Sequence, residues 1–273
     1  MPLLEVIHIS DTHFGPDPSH EIRGANACDR ARALVRAIRA LPFVPDFIVH
    51  TGDVVNDPDE SAYELASSVL AELPSPVYYA TGNHDDVAMM RRALRFGEMG
   101  PLLPEDLSRL CYRIAGADGG GVDFFVLDAK VPPEEGPHGW IPEEQAQAVL
   151  AAVSGTRPVA VFLHYPLTPI GSRWIDEHLL VRNGSEFLLR LKERAGPHLR
   201  GIFSGHLHRG LQLYRDGVFQ SGVSSPACEF TAGPEDAFCD FLAGGTIPFH
   251  HITFTREATM VKAYAIPFRD AER

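Results

Sequence analysis

Seven side chains able to bind a metal ion fall in five short blocks of this sequence. They are Asp11 and His13 in "SDTH", Asp53 in "TGDVVN", Asn83 in "TGNHDD", His164 in "FLHYP", and His206 and His208 in "SGHLHR". Two Asp, one Asn and four His mix oxygen with imidazole donors, which suits Fe, Mn, Zn or Co rather than the all-oxygen preference of Ca or Mg. Seven donors are too many for one zinc ion. One bridging carboxylate with three further donors on each side accounts for a pair of ions about 3.5–4 Å apart, as two-metal phosphoryl-transfer sites require. Any block alone reads as a strand-end turn, where Asp and His are common; the five together point to a site.

Donors so far apart in sequence need elements that carry them to one place. Apolar, β-branched runs at 4–10, "DFIVHTGD" and "VYYATGNHD" alternate with helical patterns in "NACDRARALVRAIRAL", "ESAYELASSVLAEL" and "DVAMMRRALRF". That β-α order predicts parallel strands with right-handed crossovers. The second half repeats it: "VDFFVLDAK", the helix "PEEQAQAVLAAV", "PVAVFLHYP", the helix "GSEFLLRLKERA" and "LRGIFSGHLH". Ligands of open α/β sheets bind beyond the carboxyl ends of strands, where each block falls. Gly52, Gly82 and Gly205 each precede a donor, at points needing a sharp turn or a close backbone approach. After Leu211, two hairpins are predicted, turning at Asp216-Gly217 and near Arg256-Glu257. No linker or repeat divides residues 1–273, so a single domain is expected, with 209–273 supplying C-terminal strands.

With 45% hydrophobic and 22% charged residues the chain reads as a soluble globular protein. Its 36 acids against 24 bases leave a net charge of −12, which disfavours nucleic-acid polymers and anionic membrane surfaces as partners. Cys28, Cys111, Cys228 and Cys239 are scattered, with no CxxC pair, so a reduced, cytoplasmic setting is expected. The N-terminal residues lack a basic n-region and no apolar stretch reaches about 18 residues, so neither secretion nor membrane spanning is expected. The aromatic segment "FCDFLAGGTIPFHHITF" reads as core or as a homodimer interface.

In this order, D-x-H, GDxxN, GNHD, a lone His and GHLH resemble the blocks of the calcineurin-like metallophosphoesterases, and they span Asp11 to His208, about three quarters of the chain. "HISDTH", Tyr63, "TGNHDD", "VLDAK" and a short "HYP" block are most similar to the bacterial cyclic-nucleotide phosphodiesterase and glycerophosphodiesterase branch. The resemblance implies an α/β fold, a four-layer αββα sandwich of mixed sheets with antiparallel C-terminal hairpins. It implies Asp11, His13 and His208 on one metal, Asn83, His164 and His206 on the other, and Asp53 bridging. Two divalent ions, or Fe with a divalent ion, would supply a bridging hydroxide that attacks phosphorus. His84 would protonate the leaving alkoxide.

The implied activity is hydrolysis of small phosphodiesters such as 3',5'-cyclic nucleotides or glycerophosphodiesters. The alternatives are a phosphomonoesterase or nucleotidase with the same centre, or a non-catalytic binding protein of the same fold. In the protein-phosphatase branch an acid three residues after the bridging Asp orients the catalytic His, but here that position is Asn56. Asp85 or a water would substitute; alternatively, Asp85 caps the following helix. Tyr63 reads as core packing and Asp128 as a supporting or turn acid. Three loops, containing His20 and Arg23, His138 and Trp140, and Arg173 and Trp174, read either as solvated or as a substrate-selecting rim, where Trp stacks on a base and Arg meets phosphate.

Overall fold

A computed structural model describes residues 2–114, 121–233, 236–255 and 257–271. In chain order come β1 (Pro2–Ile9), β2 (Glu21–Ile22), β3 (Ala25–Asn26), α1 (Ala27–Arg39), β4 (Phe47–His50), α2 (Glu60–Leu70), β5 (Val77–Tyr79), α3 (Val87–Ala93), β6 (Met99–Leu102), β7 (Tyr112–Ile114) and β8 (Asp123–Val126). Next are α4 (Glu143–Ala152), β9 (Val159–Phe162), α5 (Arg173–His178), α6 (Gly184–Ala195), β10 (Leu199–Ser204), β11 (Leu211–Arg215) and β12 (Val218–Gly222). The chain closes with β13 (Glu229–Phe230), β14 (Phe241–Leu242), β15 (Thr246–Thr255), β16 (Thr259–Pro267) and α7 (Phe268–Ala271).

Two mixed sheets form the centre, one in the order β16-β15-β1-β4-β5 and the other β11-β12-β10-β9-β8-β7-β6. β1, β4 and β5 run parallel, as do β8, β9, β10 and β12. Alternation explains why the central strands read as continuous apolar runs. Phe124, Phe162 and Phe203 face the core shared with the first sheet, while Phe125, Val161 and Ile202 face the one beneath α4 and α6. Phe162 and Phe203 stack at 5.0 Å, and truncating either ring to Ala would cost about 3–5 kcal/mol.

The helices cover the outer faces. α1 buries Ala31, Leu34 and Ile38 and exposes Asp29, Arg32 and Arg36; Asn26 caps it by accepting from the Asp29 amide at 2.8 Å. Asp59 caps α2 in the same way, accepting from Ser61 and Ala62. The layers are therefore α, β, β, α. Both expected C-terminal hairpins form, β11 with β12 and β15 with β16, although Arg256 lies outside the described residues.

Several features differ from the expectation, among them the small two-stranded sheets β2-β3 and β13-β14. The antiparallel strands β6 and β7 extend the second sheet beyond β8. Arg173 and Trp174 sit on α5 rather than in a loop. β12, expected only as half of a hairpin, also runs parallel to β10 and so delivers the loop after Gly222 to the same edge as the donor blocks. Among the described residues no helix is long and apolar enough to cross a membrane.

Candidate metal centre

Each donor block follows the carboxyl end of a parallel strand: β1 leads to Asp11 and His13, β4 to Asp53, β5 to Asn83, β9 to His164, and β10 to His206 and His208. The turns there are tight enough to force L-residues into the left-handed region. Asp11 (φ 56°), His13 (48°), Asp53 (52°), His206 (66°) and His208 (46°) all adopt it, a cost that surrounding structure must offset. The chain approaches itself closely at two glycines. A Cβ on Gly82 would lie 2.1 Å from Asp53 Oδ1, and one on Gly205 would lie 2.6 Å from Asp11 Oδ2.

The structure brings Asp11, His13, Asp53 and His208 into one buried group, and Asp53, His164 and His206 into a second. The donor atoms of each group lie within 4.8 Å of one another. His208 Nε2 is 3.2 Å from Asp11 Oδ1 and 3.0 Å from His13 Nε2, which is 3.7 Å from Asp53 Oδ2. On the other side His164 Nε2 is 3.3 Å from Asp53 Oδ2 and 3.2 Å from Asn83 Oδ1. Donors about 2.1 Å from a common cation stand about 3–3.5 Å apart, so these separations fit ligation by first-row metals.

Hydrogen bonds fix the ring orientations. His164 donates from Nδ1 to the Thr51 carbonyl at 2.7 Å, and His208 from Nδ1 to the Cys228 carbonyl at 3.1 Å, which leaves each Nε2 facing the cluster. The buried His206 Nε2 has no hydrogen-bond partner among the described residues. Two converging imidazole nitrogens, His13 and His208, with a carboxylate against each, form a pocket that favours positive charge.

The protonation equilibria carry the same preference. Burial alone would lower His164, but Asp53 overrides it and raises the group to about 9. His208 is likewise pushed well above its ordinary value, burial being outweighed by Asp11. Burial works to raise Asp53, yet the His164 charge pulls it well below the usual carboxylate range. Burial dominates at His13, which is lowered to about 3, and at His206, which falls well below its ordinary value. The raised imidazoles and the lowered aspartates thus share one cause, the attraction of the two buried carboxylates for positive charge at His164 and His208.

A cavity of about 220 Å³ opens over the cluster, with His84 in its wall. The His84 amide donates to Asp53 Oδ1 at 2.9 Å, and its Nδ1 donates to the Asn56 main-chain carbonyl at 2.5 Å. The Asn56 side chain instead donates to Asp57. Asp85 caps no helix: Asp86 caps α3, accepting from the Met89 amide at 2.8 Å, because it is one residue nearer the first turn. Asp85 is buried and accepts from the amides of Val54 and Gly82, each at 3.0 Å, and from the Tyr63 hydroxyl at 3.3 Å. Asp85 thus joins the Asp53 turn to the Asn83 turn, and Tyr63 is a core residue with a polar task. Asp128 accepts from the amides of Leu110 and Lys130 and pairs with Arg109 at 3.6 Å, closing a turn.

Of the expected rim residues, Arg23 and Trp174 line the cavity. The wall is made without His20, whose ring packs on Gly15, and without Arg173, which opens α5. His138 is buried and Trp140 is half exposed, and neither joins it. Cys228, Phe230 and Phe241 do, although the sequence marks Cys228 only as a scattered thiol, Phe241 only as part of a core or interface segment, and Phe230 not at all. The signal for Cys228 and Phe230 is the segment "SSPACEF" after β12, which is visible as a site loop only once β12 is known to be parallel to β10, and Phe241 joins them through the pairing of β14 with β13.

Comparison with known proteins agrees with this geometry. The profile of the calcineurin-like phosphoesterase family matches residues 4–210. Glycerophosphodiester phosphodiesterase GpdQ of Enterobacter lignolyticus is 33% identical over 204 residues, covering 74% of this chain and 69% of that protein. The 3',5'-cyclic adenosine monophosphate phosphodiesterase CpdA of Escherichia coli is 27% identical over 252 residues, or 90% and 86% of the two chains. A dimetal phosphatase from Danio rerio shares the fold at a TM-score of 0.66 and 16% identity, over 98% of this chain and 100% of that one. With buried Asp/His groups able to bind metal ions at the edge where the family profile and the fold both converge, the chain belongs to the calcineurin-like phosphoesterases and is a metal-dependent phosphoric ester hydrolase.

Proposed function

We propose that the chain is a binuclear phosphodiesterase acting on small diesters such as 3',5'-cyclic nucleotides or glycerophosphodiesters. The observation that carries this reading is that Asp53 belongs to both groups of buried donors. Cations held by Asp11, His13 and His208 on one side and by Asn83, His164 and His206 on the other, with Asp53 common to both, would acidify a water and neutralise the phosphoryl oxygens.

The chain's own residues do the rest. Asp53 and the imidazoles set the position of the phosphoryl group, and the left-handed turns hold them there before substrate arrives. His84 faces the leaving oxygen; with Nδ1–H held by the Asn56 carbonyl, the ring gives its proton from Nε2. The organic group of the ester meets a mostly apolar wall in which Arg23 lies over Phe241 at 4.2 Å and Trp174 stands edge-on to Phe230. The names of GpdQ and CpdA, both diesterases, favour a diester over a monoester.

The test is to load metal-free protein with Mn(II) or Zn(II) and follow bis(p-nitrophenyl) phosphate, p-nitrophenyl phosphate and cyclic AMP, with Asp53→Ala as control. Diester and cyclic AMP hydrolysis, absent in the control, is expected. Hydrolysis of the monoester alone would replace this reading with a phosphomonoesterase.

A further inference from the structure

Behind the cluster, one buried ring connects two of the strained turns. His50, the last residue of β4, is fully buried; its Nδ1 accepts from the Gly52 amide at 3.3 Å, and its Nε2 lies 3.0 Å from Thr12 Oγ1. The tautomer follows from the partners. An amide can only donate, so Nδ1 carries the lone pair and Nε2 the proton. The Thr12 hydroxyl accepts that proton and passes its own to the Val54 carbonyl at 3.0 Å.

The resulting chain runs from the Gly52 amide through His50 and Thr12 to the Val54 carbonyl, with each donor matched to an acceptor. Its two ends flank Asp53, and its middle stands between Asp11 and His13. Backbone bonds from Asp11 to Gly52 and from His13 to Asp53 set the spacing of the two turns, while these side chains span them from beneath. A strand-end residue needed only for packing would be apolar, since a buried imidazole gains nothing unless both nitrogens are paired. Desolvation lowers His50 to about 4, which keeps the ring neutral and preserves the donor-acceptor polarity near neutral pH.

We infer that His50 and Thr12 form a clasp that holds Asp53 and the Asp11–His13 pair in ligating geometry, so that both are positioning residues for metal binding. The inference rests on the binuclear site proposed above.

Metal-free wild type, His50→Leu, His50→Gln, Thr12→Val and the His50→Leu/Thr12→Val double variant would be titrated calorimetrically with Mn(II), and the visible absorption of their Co(II) forms recorded. The expected result is a 10–100-fold weaker Kd in His50→Leu and Thr12→Val, with altered Co(II) bands, as for other groups that orient metal ligands. The double variant should be no weaker than the worse single one, because the clasp fails at either end. Gln, which can both donate and accept, should recover part of the loss. Thr12→Val removes only a hydroxyl and carries the test if His50→Leu does not fold. Wild-type Kd and Co(II) bands in the folded variants, whatever their melting temperatures, would reduce the clasp to core packing and overturn it. Wild type binding fewer than two ions would instead overturn the site reading, and the clasp with it.

Discussion

His84 donates from Nδ1 to the main-chain carbonyl of Asn56 at 2.5 Å, so a peptide group does the work that a carboxylate at position 56 would do. The side chain of Asn56 points elsewhere, to Asp57. Asn56→Ala should therefore change kcat by less than about threefold, since the carbonyl survives the substitution. His84→Ala removes the proposed proton donor and should lower kcat by about 10²–10⁴ for alkoxide leaving groups. The loss should shrink with p-nitrophenolate, which leaves without protonation. Steady-state rates across leaving groups of graded pKa check this, and an equal loss for all of them would remove His84 from the acid role.

Asp85 is the buried joint between the Asp53 and Asn83 turns. Asp85→Asn puts an amide donor against at least one backbone N–H and should destabilise the protein by about 1–3 kcal/mol. Tyr63→Phe leaves Asp85 and the Asp86 amide each short of a partner and should cost about 1 kcal/mol. Denaturant melts of the metal-loaded proteins give both numbers. An unchanged midpoint in Asp85→Asn would show that the joint contributes nothing.

Much of this could be read in the sequence, for a definite reason. Strands buried on both faces are continuous apolar runs, and a polar residue at the tip of such a run is conspicuous, so Asp11, Asp53, Asn83, His164 and His206 marked their own strand ends. β6 and β7 were not legible, β6 being four residues with Pro101 inside it and β7 only three residues long, and neither was α5, with six residues. The parallel pairing of β12 depends on long-range register that a hairpin signal hides. The support of His84 was hidden more deeply, because a sequence displays side chains and the group concerned is a carbonyl. Asp85 and Asp86 are adjacent acids before a helix, and only the backbone at 86 decides which one caps it.

Gly82 and Gly205 are needed for space. In Gly205→Ala the new methyl carbon would sit 1.9 Å from Ser10 Oγ and 2.6 Å from Asp11 Oδ2, and in Gly82→Ala 2.1 Å from Asp53 Oδ1. Either carboxylate must swing away, and a shift of about 1 Å is enough to spoil a ligand set. Both variants should bind fewer than two equivalents of metal after loading and dialysis, as measured by elemental analysis. Full occupancy in either would mean that the turn can relax around a methyl group.

The apolar wall above the cluster should govern affinity rather than chemistry. Trp174→Ala and Phe241→Ala remove ring faces from the cavity wall that, on the proposed function, would meet only the organic part of the ester, so KM for cyclic AMP should rise about 3–30-fold while kcat holds within about threefold. Dimethyl phosphate, with nothing to stack, serves as the reference substrate. A fall in kcat with KM unchanged would place these rings closer to the reacting atoms than the cavity suggests.

Acid–base linkage gives the last prediction, and its sign follows from His164 and His208. Both are raised above the ordinary histidine value of about 6.5 in the metal-free protein, His164 to about 9. A group whose folded pKa is raised contributes stability that is full below its unfolded pKa and disappears as pH rises through the folded one. Metal-free protein should accordingly lose melting temperature between about pH 6.5 and pH 9, when the protons that balance Asp53 and Asp11 depart. Cations would take over that balancing role, so the metal-loaded protein should show a flatter profile. For the same reason, loading at pH 7 must expel the two protons, and calorimetry in buffers of different ionisation enthalpy should report roughly two released per site pair. Proton release near zero, or a metal-free melting temperature indifferent to pH across that window, would mean that the imidazoles are already neutral and that the aspartates find their counter-charge elsewhere.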